Sequence, residues 1–336
     1  MPTGAAVLRE FCGAKRRAGL ASDMASRARL MPDSPPSFPP FPGWVRQGVT
    51  SESVDDAMFS AGAALAAIHP IARSEHPLGA LWRHRLSLSN AAVLARQGGR
   101  TEDEAALRDA WYLRRDGDDP GPGGRMLKAW RHLGERSAMV SKDWTLRLSV
   151  LFEVRFSDAL EDVVAQADKL MAGQGSAVAA AAEIAAASLR FVPQSEPLAL
   201  WLADMVLAQR LKWPMAVPLI AGQIRRGDLR AATKAGAADD VWLRACALAY
   251  ARAAAGAADL YVDLVRRADR LLAAAPKLRG KDADTMVAIL MMEDAQPAGA
   301  GKTASDRSMR RLFERLVALG AVRELTGRPT FRLYGL

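Results

Sequence analysis

Residues 305–336, SDRSMRRLFERLVALGAVRELTGRPTFRLYGL, carry the most specific structural signal in the chain. Ser305 is a favourable N-cap residue, and Asp306 places a carboxylate in the first turn, where the helix dipole stabilises it. Gly320 suits the left-handed conformation that commonly ends a helix. Between these positions, apolar residues recur at three- and four-residue spacing and predict one buried helix face: Met309, Leu312, Phe313, Leu316 and Leu319.

Two short β-prone runs follow the predicted helix. Residues 322–325 and 330–334 flank a turn that contains Gly327 and Pro329, and this pattern predicts a β-hairpin. A helix followed by a hairpin is the second half of a winged helix, a module that usually docks on nucleic acid. The sequence therefore predicts a winged-helix-like C-terminal domain.

Arginines occupy the opposite side of the predicted helix and recur in the hairpin. At about 100° per residue, four arginines fall on or beside the face away from the apolar stripe. We expect these side chains to contact the major groove or its phosphates, with a further arginine at the hairpin tip. The predicted DNA-binding residues are Arg307, Arg310, Arg311, Arg315, Arg328 and Arg332.

Positive charge is concentrated at the two ends of the chain. The formal net charge is +9, whereas the 32 basic residues of positions 32–301 are balanced by 32 acidic residues. A localised positive patch attracts polyanions, and double-stranded DNA is the partner that we favour. The alternative is a protein-interaction or oligomerisation module, in which the arginine face meets an acidic partner or a second copy of the chain.

The segment before the terminal helix is less regular. Residues 282–293 predict a helix that precedes the winged-helix signal, and a stretch with Pro297, Gly299 and Gly301 follows it. Glycine and proline disfavour helix, so support for the terminal helix is expected to be loose. The run 299–303 resembles part of a P-loop, but Gln296 stands where that motif needs its first glycine. No nucleotide site is predicted.

The rest of the chain predicts an all-α, multi-helix bundle. Residues 1–43 read as a basic arm and a proline-rich linker, residues 44–280 as a helical domain and residues 281–336 as the winged-helix-like domain. Tryptophans at apolar helical positions are predicted to pack in the core, among them Trp82, Trp111, Trp130, Trp201, Trp213 and Trp242. Helical patterns cover residues 55–68, 78–97, 102–115, 123–134, 143–171, 176–190, 195–211, 239–255 and 258–274.

Residues 100–109 form the most polar motif of the body. Thr101 followed by Glu104 predicts a capping box at the start of a helix. All four histidines, His69, His76, His84 and His132, lie in the same part of the chain. Carboxylates and histidines from facing helices can bind a metal, so an enzyme that uses Glu102, Glu104 and His84 is the second alternative. Neither an HExxH nor an ExxH spacing occurs, and we predict no catalytic residue, metal or cofactor.

The composition predicts a cytoplasmic protein. Cys12 and Cys246 lie far apart and have no metal-binding spacing, so neither a disulfide framework nor a zinc site is expected. No apolar run reaches the roughly 18 residues of a membrane span, and residues 1–31 lack the apolar core of a signal peptide.

Three segments carry a resemblance to a known family. Residues 41–44 (FPGW), 99–133 (GRTEDEAALRDAWYLRRDGDDPGPGGRMLKAWRHL) and 310–336 resemble domain-of-unknown-function family 1403, found largely in rhizobia and other α-proteobacteria. This resemblance implies no catalytic residue. The terminal segment is also similar to the helix-plus-wing tail of Fic-type proteins, with their TGR wing. The HPFxxGN-type loop of those enzymes is missing from this sequence, so adenylyl transfer is not expected.

Overall fold

The computed structural model describes most of the chain after residue 33. Several sequence features lie outside the described residues: residues 1–33 of the N-terminal arm and linker, the P-loop-like run 299–303, Ser305, and Arg328 with Pro329 in the hairpin turn. The described residues are 34–47, 52–114, 117–139, 143–192, 194, 196–235, 239–278, 283–298, 306–327 and 331–336.

The described chain is almost entirely helical, which confirms the all-α prediction. Three short strands near the C-terminus complete it: β1 (Gln296–Pro297), β2 (Arg323–Glu324) and β3 (Leu333–Gly335). The helices are α1 (Gly43–Gln47), α2 (Val54–Arg73), α3 (Leu78–Gln97), α4 (Glu104–Tyr112), α5 (Gly121–Leu133), α6 (Trp144–Phe152), α7 (Asp158–Ala172), α8 (Ala177–Phe191), α9 (Glu196–Arg210), α10 (Arg226–Ala235), α11 (Asp240–Ala274), α12 (Ala283–Leu290) and α13 (Asp306–Ala318). Short 3₁₀ turns occupy Arg136–Met139, Ile220–Gly222 and Ala275–Lys277.

Two helix pairs form the centre of the bundle. Helix α11 packs along α2, and the alanine-rich α8 packs on α9. Alanine lets helix axes approach closely, and α8 buries most of its alanines, as its sequence predicts. Trp111 is partly buried, and the other predicted tryptophans, Trp82, Trp130, Trp201, Trp213 and Trp242, are buried. They lie in the continuous apolar core that the helices share, which confirms the prediction for these tryptophans.

Three helix predictions for the body were wrong. The block predicted at 143–171 divides, because Glu153 adopts a left-handed conformation (φ 56°) after α6 and Ser157 caps the N-terminus of α7. The blocks at 239–255 and 258–274 form one 35-residue helix, since Gly256 lies inside α11 without ending it. Helix α10 was not predicted.

The capping box predicted at Thr101 and Glu104 is also wrong. Asp103 caps α4, and its carboxylate accepts a hydrogen bond from the Ala106 amide at 2.8 Å. Aspartate is at least as good an N-cap as threonine, so the helix begins two residues later than the capping box requires. The Glu102 carboxylate binds Arg100 instead.

The described residues from 283 onward form the C-terminal module, whose helix and hairpin were predicted. Its antiparallel sheet has the order β1-β3-β2, with Gln296 opposite Tyr334 and Glu324 also opposite Tyr334. Strand β1 was not predicted, since the sequence indicated an irregular segment there. Helix α12 ends at Leu290, three residues before the predicted end. The described helices include none that is both long and apolar enough to cross a membrane.

Candidate nucleic-acid interface

Helix α13 has two chemically distinct faces, as its sequence predicts. Met309, Phe313 and Leu316 are buried, and Leu312 and Leu319 are partly buried. The Phe313 ring stacks on Tyr334 of β3 with 4.5 Å between ring centroids. This contact fixes the helix on the sheet, so the opposite face of α13 points to solvent.

The exposed face of α13 carries four arginines. Arg307, Arg310, Arg311 and Arg315 are exposed, and none makes a hydrogen bond or ion pair with another described residue. Among the described side chains of α13, Glu314 is the acidic residue, and it is exposed too. The face therefore presents an excess of free guanidinium groups, which can each bind a phosphate or the edge of a guanine.

Of the two hairpin arginines predicted to bind DNA, only Arg332 lies among the described residues. Arg328 lies outside the described residues. Arg332 is exposed immediately before β3, where its guanidinium lies 3.7 Å from the Glu324 carboxylate of β2. Nearby, Phe331 is 75% exposed and has a positive φ of 54°, and Val317 on α13 is 43% exposed. The module thus exposes both charged and apolar side chains.

A buried aspartate anchors the module to the helical body. Asp294, which lies between α12 and β1, forms ion pairs with Arg85 of α3 and with Arg108 of α4, the latter at 2.7 Å. Burial alone would raise the pKa of Asp294, but the charges of Arg85 and Arg108 outweigh it and hold that pKa below its usual value. Both arginines therefore stabilise the contact between the module and the helical body.

Arg85 also holds the C-terminus. Its Nη2 donates to the main-chain oxygens of Leu336 at 2.9 Å and Asp294 at 3.2 Å. The last strand passes close to the main chain of Asp294, and Gly335 allows this because a Cβ at that position would lie 2.5 Å from the Asp294 main-chain oxygen. The last strand and the helical body are therefore in direct polar contact.

A second cluster surrounds Glu293. Its carboxylate accepts hydrogen bonds from Arg131 of α5 at 2.7 Å and from the Tyr112 hydroxyl at 3.0 Å. The imidazole Nδ1 of His84 lies 3.6 Å from the same carboxylate oxygen. Burial and the charge of Arg131 lower the pKa of His84 to about 4, so the imidazole is neutral at physiological pH.

The residues proposed for a metal or acid–base site do not come together. His84 joins the Glu293 cluster, whereas Glu102 pairs with Arg100, and the described residues include no group of three potential metal ligands. The other histidines have separate partners. Trp213 donates to His69, the Leu78 amide donates to His76, and His132 lies 3.2 Å from Glu135.

Sequence reasoning missed the residues that hold the module. Arg85 and Arg108 lie about 200 positions before Asp294, and no short-range pattern joins residues so distant. One local signal was available, because Arg85 lies between the apolar residues Leu81, Trp82, Leu86 and Leu88 of α3. A charged residue at a core position usually has a buried partner.

Comparison with known proteins places the chain in a family. No curated protein gives a significant sequence match. A family model described as "Protein of unknown function (DUF1403)" matches residues 31–336, nearly the whole chain. The match includes the helical body, the buried ion pairs and the C-terminal module, and the chain belongs to this DUF1403 family.

Proposed function

We propose that the protein binds double-stranded DNA through the basic face of α13 and acts as a regulator in the bacterial cytoplasm. The observation that carries this proposal is the set of four exposed arginines on one face of a helix, without partners among the described residues. Unpaired guanidinium groups on a fixed helix are suited to phosphates and to guanine edges in the major groove.

The order of elements supports the same reading. Helix α12, strand β1, helix α13 and the β2–β3 hairpin follow one another, and β3 lies at the centre of the sheet. A helix backed by such a hairpin is the arrangement of a winged helix, whose exposed helix enters the major groove while the wing lies beside it. In this proposal Arg328 contacts DNA from the wing, and Arg332 contributes from the position just before β3.

The local electrostatics favour an anionic partner. Arg323, at the start of β2, is the next basic residue after α13. On the exposed face of α13, four arginines stand against Glu314, so the described side chains give this face a net positive charge. A polyanion that approaches this side of the module is attracted before it makes any contact.

A protein interface is the second candidate function. Val317 and Phe331 expose apolar surface beside the arginines, and aromatic residues together with arginine are enriched in protein interfaces. The partner would be a second copy of the chain or an acidic protein. Gel filtration separates the alternatives, because a homodimer formed through this face dissociates when Phe331→Ser and Val317→Ser are combined.

The test of DNA binding is a fluorescence-anisotropy titration of mixed-sequence duplex DNA with the full chain. The informative variant combines Arg311→Gln and Arg315→Gln, one helical turn apart on α13. We expect at least a tenfold loss of affinity at about 50 mM salt, since two phosphate contacts are removed.

A matched control has the same charge change and spacing. Arg226 and Arg230 are also exposed and one helical turn apart, but they lie on α10. The Arg226→Gln, Arg230→Gln variant is expected to bind DNA as the wild type does. No binding by the wild-type chain at low salt, or equal losses in both variants, would contradict the proposal.

A further inference from the structure

A cavity of about 480 Å³ lies in the helical body and has no part in the proposed DNA contact. It is bounded by the C-terminal ends of α3 and α6, by α5, by the start of α9 and by α10. The segment of residues 99–133, one of the three that carry the family resemblance, supplies part of the wall through Arg100, Arg125 and Met126. Its volume is in the range typical of small-molecule sites.

The inner wall of the cavity is apolar. Leu94, Leu198 and Leu229 are buried, and Met126 and Phe152 are partly buried beside them. Such a surface binds the hydrocarbon or aromatic body of a ligand, because burying it removes apolar area from water.

The charged groups of the wall are of two kinds. Arg100 binds Glu102, and Arg125 binds both Asp119 and Glu153, so these two guanidinium groups already have acidic partners. Arg226 and Arg230 also line the cavity, and neither makes a hydrogen bond or ion pair with another described residue.

The cavity wall also contains one acidic side chain that makes no ion pair with another described residue. Glu196, exposed in the first turn of α9, has no partner among the described residues either. Arg226 and Arg230 outnumber Glu196, so the charged side chains that lack partners among the described residues give the mouth of the cavity a net positive charge. Charge complementarity therefore favours a ligand that carries a negative group.

The backbone around the cavity supports a binding role. Glu153 and Gln194 both line it, and both have a positive φ, of 56° and 54°. Non-glycine residues adopt this conformation at an energetic cost, and such residues cluster at ligand-binding sites. The two positions lie at the end of α6 and two residues before the start of α9.

We propose that this cavity binds a small amphipathic anion, a compact aromatic or aliphatic body with one carboxylate or similar group. The body of the ligand lies against Leu94, Leu198 and Leu229, and its anionic group pairs with Arg226 and Arg230 at the mouth. This site is independent of the proposed DNA contact, and its test contains no DNA.

The test uses two fluorescent probes that differ in one charged group. The anion 1-anilinonaphthalene-8-sulfonate and the uncharged N-phenyl-1-naphthylamine share nearly the same aromatic body. Each is titrated into the wild-type chain and into the Arg226→Gln, Arg230→Gln variant. We expect the anionic probe to lose at least tenfold in affinity in the variant, and the uncharged probe to change by less than twofold.

The α13 variant provides the matched control. Arg311→Gln with Arg315→Gln removes the same charge at the same spacing and is expected to leave the affinity for both probes unchanged. The proposal is overturned if the anionic probe does not bind the wild type, if the α10 variant binds it equally well, or if both double variants lose the same affinity. All four arginines are exposed, so both double variants are expected to fold as the wild type does, and circular dichroism checks this.

Discussion

Arginines lie on two sides of the C-terminal module, one group on the helical body that it packs against and one on its own helix α13, and the two groups have opposite environments. Towards the helical body, Arg85, Arg108 and Arg131 are buried or nearly so and pair with Asp294 or Glu293. On the outer face of α13, four arginines are exposed and have no partner among the described residues. The same side chain therefore fixes the fold on one side and remains available to a ligand on the other.

The difference is a matter of desolvation. A buried guanidinium needs hydrogen-bond acceptors in place of water, and a carboxylate also balances its charge, because losing its hydration costs several kcal/mol. An exposed guanidinium keeps its hydration and contributes little to stability until an anion arrives. Substitutions on the inner side should thus change the free energy of unfolding, whereas substitutions on the outer side should change binding.

The largest effect is expected for Asp294→Asn. This change leaves Arg85 and Arg108 buried opposite a neutral amide, and we expect the free energy of unfolding to fall by about 3–5 kcal/mol. Urea denaturation followed by circular dichroism measures it. Asp263→Asn is the control, since it breaks the half-exposed pair with Arg267 and should cost less than about 1 kcal/mol. Equal costs for the two changes would remove the distinction between buried and exposed pairs.

A smaller effect is expected for Gly335→Ala. The added Cβ would meet the Asp294 main-chain oxygen at 2.5 Å and push the last strand away from Arg85. We expect a loss of about 1–3 kcal/mol in the free energy of unfolding. Gly256→Ala is the matched control, because that Cβ meets nothing within 4 Å inside α11. It should stabilise the protein by up to about 1 kcal/mol, so a loss there of the same size would contradict this account.

The acid sensitivity of the inner cluster comes next. Burial and the charge of Arg131 lower the pKa of His84 to about 4 in the folded chain, against 6.5 for the free side chain. Between these values the unfolded state binds the proton and the folded state does not, so stability falls as the pH drops from 6.5 to 4. We expect His84→Gln to reduce this fall by roughly 1–2 kcal/mol at pH 5. Parallel pH profiles for the variant and the wild type would disprove it.

The smallest change in stability is expected on the outer face. Arg311→Gln with Arg315→Gln should alter the free energy of unfolding by less than about 0.5 kcal/mol, since neither side chain has a partner among the described residues. The urea midpoint of the variant is compared with that of the wild type. A loss of more than about 1 kcal/mol would show that these arginines support the fold.

The sequence predicted the elements whose signal is local. Helix α13 and the hairpin follow from apolar spacing and turn residues within about 30 positions, and both are present in the structure. The helix boundaries failed where a single residue decides them, as Glu153 does after α6 and Asp103 does before α4. Propensity alone does not distinguish neighbouring capping residues.

The inner side of the module could not be predicted. Asp294 looked like part of an irregular connection, and only the fold brings Arg85 and Arg108 to it. Strand β1 was missed for the same reason, because its two residues form a strand only by pairing with β3. The cavity wall likewise joins residues from five helices and the loops beside them. The outer face could be read from sequence because its arginines lie on one helix.

The salt dependence of DNA binding by the α13 variant tests the central claim most directly. The logarithm of the association constant is measured against the logarithm of the salt concentration for the wild type and for Arg311→Gln with Arg315→Gln. If both arginines contact phosphates, the magnitude of the slope falls by about 1.8 in the variant. An unchanged slope would contradict the claim that the outer arginines of α13 are the DNA contact.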